Sequence, residues 1–195
     1  MYLFFDTETS GKYNFKLPAT DPSQPKLVQL GMQVLDEGLE EVAKWTTLVQ
    51  HEKLFIEPEA EGIHGISKEM CDKHGLPLQV VLAVLKKYRA NCKWHICHNE
   101  KFDRGIINAA MASLGAQPFL ETNGFCTMQA LTPVLQLPGP RGHKWPKLSE
   151  AYKAATGKEL ENAHDAQVDI TATIQVFKWI RTSHPQILPR EMVGG

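Results

Sequence analysis

No stretch of this 195-residue chain approaches the roughly 18 consecutive apolar residues of a membrane span. Its N-terminus also lacks the basic region and cleavage pattern of a secretion signal. No membrane partner is expected, and the expected setting is intracellular and cytoplasmic. Cysteine is scarce. Cys71, Cys92, Cys97 and Cys126 are the only four, and two of them fall in or beside apolar runs, which fits packed, reduced thiols better than a disulfide framework. An excess of one charge sign is missing too: 21 Lys and Arg against 22 Asp and Glu leave a net charge of −1. That balance excludes the global basic field behind broad, salt-sensitive duplex binding, so any nucleic-acid footprint should be small. Repeats and low-complexity tracts are absent, which argues against a solenoid or a second domain.

What is present is enough apolar material for a sizeable core: 43% hydrophobic residues, including four Trp and eight Phe. Tyr2 to Phe5 reads as a buried strand, and Leu27 to Leu35 and Val42 to Val49 form a hairpin around the turn Asp36-Glu37-Gly38. Between them Gly11 to Pro25, with Pro18, Pro22 and Pro25, makes a long loop of the kind that often carries function. Ser67 caps a helix over Lys68 to Lys73, and helical spacing continues over Leu78 to Tyr88. A short strand at Trp94 to Cys97 then leads into a helix from Glu100 to Leu114 with Asn99 as its cap. Gly124 to Met128 reads as a last strand, and helices follow at Lys147 to Thr156 and about Asp165 to Thr182. Strands first, then alternating helices and strands, give an α/β fold with helices packed on a mixed sheet. One domain over residues 1–182 is expected, with a loosely held tail over 183–195.

The chemistry concentrates in acidic residues. Asp6 and Glu8 lie one residue apart on a strand and therefore project from the same face, where they repel unless a cation or a shared proton compensates them. Asp103 sits in the first turn of a helix that follows a strand. If that strand runs parallel to the first, Asp103 reaches the same sheet edge, although a lone first-turn Asp is more simply a complement to the helix dipole. Asn162-Ala163-His164-Asp165-Ala166-Gln167-Val168-Asp169 offers a His at a helix start and a carboxylate one turn in, with Asp165 more simply a cap. A zinc site from Cys92, His95, Cys97 and His98 is disfavoured, because alternating strand residues cannot easily supply four tetrahedral ligands. Arg141, His143, Lys144 and Lys147 around Trp145 read equally well as a basic contact or as a solvated loop. His164-Asp165 could also suggest an all-helical metallophosphohydrolase, which the strand-rich N-terminal third argues against.

Phe5-Asp6-Thr7-Glu8-Thr9, His98-Asn99 through Phe102-Asp103, and His164-x-Ala-x-x-Asp169 resemble, in order and spacing, the three motifs of the DEDDh 3′-to-5′ exonucleases. Ile63-His64-Gly65-Ile66 is similar to a further segment of bacterial polymerase III proofreading subunits, and the likeness spans roughly residues 2 to 180. The resemblance implies an RNase H-like, five-stranded mixed sheet and two divalent cations, Mg²⁺ with Mn²⁺ as a substitute, held by Asp6, Glu8, Asp103 and Asp169. It implies His164 as the general base and Thr9, Ile63, His64 and Phe102 as contacts to the last nucleotides, with His98 and Asn99 shaping the site. Single-stranded DNA 3′ ends are the expected substrate. RNA 3′ ends, as in ribonuclease T or oligoribonuclease, are the enzymatic alternative, and a noncatalytic binding module is the third. A polymerase partner and a homodimer are left open by the same resemblance.

Overall fold

The computed structural model describes residues 1–118, 120, 123–161 and 164–193. Three strands open the fold: β1 (Tyr2–Thr9), β2 (Leu27–Leu35) and β3 (Glu41–Gln50). Helices α1 (Pro58–His64) and α2 (Lys68–His74) lead to a two-residue strand, β4 (Leu76–Pro77), and then to α3 (Leu78–Ala90). Next come β5 (Trp94–Cys97), α4 (Glu100–Ser113), β6 (Gly124–Cys126) and α5 (Thr127–Leu135). A small ribbon, β7 (Pro138–Gly139) with β8 (Gly142–His143), precedes α6 (Leu148–Thr156) and α7 (Ala166–Ser183). A 3₁₀ turn at Pro185–Ile187 and α8 (Arg190–Val193) close the described chain.

The main sheet is six-stranded, in the order β4-β3-β2-β1-β5-β6. β1 pairs antiparallel with β2 and parallel with β5, so the strand that carries Asp6 and Glu8 has a neighbour on each side. The sixth strand is the departure from the five-stranded expectation. β4 has only two residues, one of them a proline, and it exists because it pairs with the end of β3 at the sheet's rim, not because of any local pattern.

Alternation along β1 sorts its side chains between two cores. Leu3 and Phe5 pack with Leu30, Met32 and Val34 of β2 under α3 and α4. Tyr2 and Phe4 pack on the opposite face with Ile170, Ile174 and Phe177 of α7. Phe177 is fully buried and its ring meets those of Tyr2, Phe4 and Phe125 at centroid distances of 5.6, 5.4 and 5.9 Å. Edge contacts of this kind add about 0.5–1.5 kcal/mol per pair beyond area burial. Gly31, directly opposite Asp6 across the β1–β2 ladder, faces α7. A Cβ there would stand 2.7 Å from Ile170 Cδ1 and 3.1 Å from Ala166 Cβ, so any larger residue would make the Ile170 side chain turn aside and the helix give by a few tenths of an ångström.

Several local expectations are met by specific contacts. Ser67 accepts from the Met70 amide, and Asp165 caps α7 by accepting from the Gln167 and Val168 amides. Asn99 occupies the cap position of α4, but its side chain makes no capping bond and its backbone carbonyl receives the Phe102 and Asp103 amides instead. In the segment after Ser183, expected as a loosely held tail, Leu188 and Met192 are buried in the same hydrophobic cluster as Trp94 and Phe177. The apolar pairs Ile187-Leu188 and Met192-Val193 are too short to carry a periodic signal, so only the folded surface shows the socket of Leu188 and Met192. Residues 194 and 195 of that tail lie outside the described residues.

Candidate active site

The same alternation places Asp6 and Glu8 on the α7 side of β1 and Thr7 on the α4 side. Asp169, at the first turn of α7, meets Asp6 and Glu8 from one face: carboxylate oxygens of the three all lie within 4.8 Å of one another. Asp103, in the first turn of α4, comes from the other face and accepts from the Thr7 hydroxyl at 2.8 Å and the Thr7 amide at 3.2 Å. Thr7 was not singled out from the sequence. Its position between two acidic strand residues was the available signal, since the alternate residue must face the opposite helix layer.

The electrostatics of this cluster are unfavourable as it stands. Burial, then the carboxylates of Asp103, Glu8 and Asp169, hold Asp6 well above the usual carboxylate range. Glu8 is pushed up to about 8, first by burial and then by Asp169 and Asp103. Burial raises Asp103 to about 7 in spite of the two hydrogen bonds from Thr7. Asp169 is raised by burial, opposed by the bond its Oδ2 accepts from the His164 amide at 3.3 Å. None of the ion pairs among the described residues involves any of the four. Asp169 Oδ1, moreover, is buried with no hydrogen-bond partner. An all-oxygen donor set with surplus negative charge and one orphaned oxygen fits a hard divalent cation. Among the described residues this is the one grouping of acidic, His or Cys side chains suited to a metal, and Cys92, His95, Cys97 and His98 form no such cluster.

Beside Glu8 opens a cavity of about 180 Å³ lined by Thr7, Thr9, Ile63, His64 and Phe102, with Gly11, Lys12, Glu57, Glu59 and Ala60 completing the wall. The structure thus brings Thr9, Ile63, His64 and Phe102 together. His64 is oriented by two bonds. Its Nδ1 accepts from the Ile66 amide at 3.0 Å, which leaves the protonated Nε2 to donate to the Thr9 carbonyl at 3.1 Å. Burial, first, and the nearby His164 disfavour protonation of His64. His164 itself is exposed, at a left-handed φ of 73° ahead of the Asp165 cap.

His98 and Asn99 do not line this cavity. His98 is buried, with Nε2 at 3.0 Å from the Pro146 carbonyl and Nδ1 at 3.0 Å from Thr127 Oγ1. Since a carbonyl can only accept, Nε2 carries the proton and Nδ1 receives the Thr127 hydroxyl. Both ring nitrogens are engaged, so His98 has none left for a substrate; it ties the end of the 138–146 loop to the β5–α4 junction. Asn99 is exposed at the head of α4.

A mixed sheet with helices on both faces and an acidic cluster at the end of its central strand defines the RNase H-like class. The profile of the exonuclease family of RNase T type matches residues 3–177, and the chain belongs to that family. A comparison with curated proteins returned no significant match. Among solved structures, Escherichia coli exonuclease I bound to a dT13 oligonucleotide superposes with a TM-score of 0.77 at 20% identity over 95% of this chain. A structure of exonuclease I that suggests how processivity is achieved gives 0.76 at 21%. Its complex with the C-terminus of SSB gives 0.75 at 18%. The chain spans about two fifths of these proteins, 42% in each case. Among the described residues no helix is long and apolar enough to cross a membrane.

Proposed function

We propose that this chain is a divalent-cation-dependent 3′-to-5′ exonuclease of the DEDDh type that removes nucleoside 5′-monophosphates from single-stranded DNA ends. The observation that carries this reading is the convergence of Asp6, Glu8 and Asp169 oxygens within 4.8 Å beside a walled cavity of about 180 Å³. Asp6, Glu8, Asp103 and Asp169 would hold two cations, Mg²⁺ in the cell, which supply an activated water and charge compensation for the departing 3′ oxygen. The chain's own residues do the rest. Ile63 and Phe102 give the terminal base an apolar contact that tolerates any sequence, and the Thr9 backbone, fixed by His64, receives the terminal sugar. His164, exposed and tethered through its amide to Asp169, takes the proton of the attacking water. The oligonucleotide-bound relatives support DNA as the substrate class.

The test is incubation with matched 5′-labelled single-stranded DNA and RNA in Mg²⁺ or in chelator. The reading expects a metal-dependent ladder shortening from the 3′ end, faster on DNA. A faster RNA ladder would move the substrate to RNA ends, and no cleavage by folded, Mg²⁺-supplied protein would sink the exonuclease assignment.

A further inference from the structure

A cavity of about 180 Å³ has room for little more than one base and sugar, so the strand must leave over its rim. The two sides of that rim differ in charge. The α1 side carries Glu57, Glu59 and Glu61, all exposed. The α4 side carries Lys101 next to Phe102, and Lys16 follows Phe15 in the 11–25 loop; both are exposed and neither forms an ion pair among the described residues. A polyanion leaves by the second route.

On that route stands Phe15, 53% exposed in solvent. It is not a stray apolar residue on a slack loop. Tyr13 and Phe15 meet edge to face at 5.0 Å, and the Lys101 ammonium lies over one face of the Phe15 ring, 5.1 Å from its centroid, so a base reaches the part of the ring that remains in solvent. Tyr13 in turn lies flat over α4 at Gly105, where a Cβ would stand 3.0 Å from its ring atoms. The loop is pinned from inside by Gln24, which is buried: its Oε1 accepts from the Asn14 amide at 3.0 Å and its Nε2 donates to the Asn14 carbonyl at 2.9 Å. Gly11 and Lys12, at the root of this loop, line the cavity wall. An exposed aromatic ring braced by Tyr13, on a loop whose root lines the cavity and with a cation over part of one face, is an arrangement on which single-stranded bases stack whatever their sequence.

We propose that Phe15, backed by Tyr13 and flanked by Lys16 and Lys101, is a stacking ledge for the nucleotides that follow the terminal one out of the cavity. The ledge rests on the reading of the cavity as the 3′-terminal site. It sets the shortest strand the protein holds well.

The ledge is tested by titrating the full chain calorimetrically, in chelator, with oligothymidylates of two and six nucleotides. The metal-free acidic cluster weakens both lengths alike, so the ratio of the two affinities is the readout. The wild-type chain prefers the longer strand; Phe15→Ala cuts that preference about tenfold, and Phe15→Trp restores it. Gln24→Ala, which unpins the loop without removing the ring, reduces the preference as well. An unchanged ratio in Phe15→Ala overturns the ledge, even where the ladder assay shows full exonuclease activity. A lost ratio in a protein that cleaves nothing would sustain the ledge and remove the exonuclease reading.

Discussion

At the scale of single residues, the charge of the acidic cluster is the quantity to perturb. Asp6→Asn removes one of four mutually repelling carboxylates and one proposed metal ligand. Turnover should fall by at least about a hundredfold, while the melting temperature in chelator stays level or rises. Near-normal activity in that variant would end the metal assignment. The pH dependence follows from the raised groups. A carboxyl whose folded value is raised stabilises the fold while protonated: its contribution is whole below the unfolded value near about 4 and is lost as pH climbs through the folded value. For Asp103 and Glu8 those folded values are about 7 and about 8. Chelated protein should therefore melt lower at pH 8 than at pH 5, and added Mg²⁺ should raise the melting temperature more at pH 8. Equal metal shifts at the two pH values would contradict this. His164→Ala should lower kcat by about 10²–10⁴ with oligonucleotide affinity in chelator unchanged; a near-normal kcat would assign the base to another group. Asp6 and Glu8 were legible in the sequence because strand alternation is a local rule. The Thr7 clamp on Asp103 was not, since it joins residues 96 positions apart.

At the scale of elements, the active edge depends on how loops are anchored to it. His98 joins the end of β5, the start of α5 through Thr127 and the loop before α6 through Pro146. Burial pushes His98 down to about 4. For a base depressed in the fold, the contribution is complete above the unfolded value near about 6.5 and is lost as pH falls through the folded one. The wild-type protein should accordingly lose on the order of 3 kcal/mol from this group between those limits, a loss that His98→Gln does not show. Urea titrations of both proteins at pH 4 and pH 7 measure it, and parallel losses would refute the assignment. His98 reads as part of an active-site motif in the sequence, and its inward turn comes from partners 29 and 48 residues away. The same is true of β4, whose two residues have no strand signature apart from the β3 edge they meet.

At the scale of the whole molecule, balanced charge limits how the chain meets nucleic acid. With a net charge of −1, and Lys16 and Lys101 the ledge's lysines without an ion pair among the described residues, only a few phosphates are neutralised. The slope of log K against log salt for a single strand should be shallow, no steeper than about −2. A slope several units steeper would reveal a basic track elsewhere on the surface. The layered α/β architecture was readable from the order of strands and helices, because each amphipathic face had only one way to be covered. The distance between those layers was not readable, and it is what assembles the site. Gly31 lets α7 settle onto β2 opposite Asp6, and that approach carries Asp169 to the strand's carboxylates. A genetic screen for lost activity would therefore score position 31 beside the acidic residues. Gly31→Val should lower activity although position 31 contributes no atom to the chemistry, and unchanged turnover in that variant would separate the helix's approach from the site.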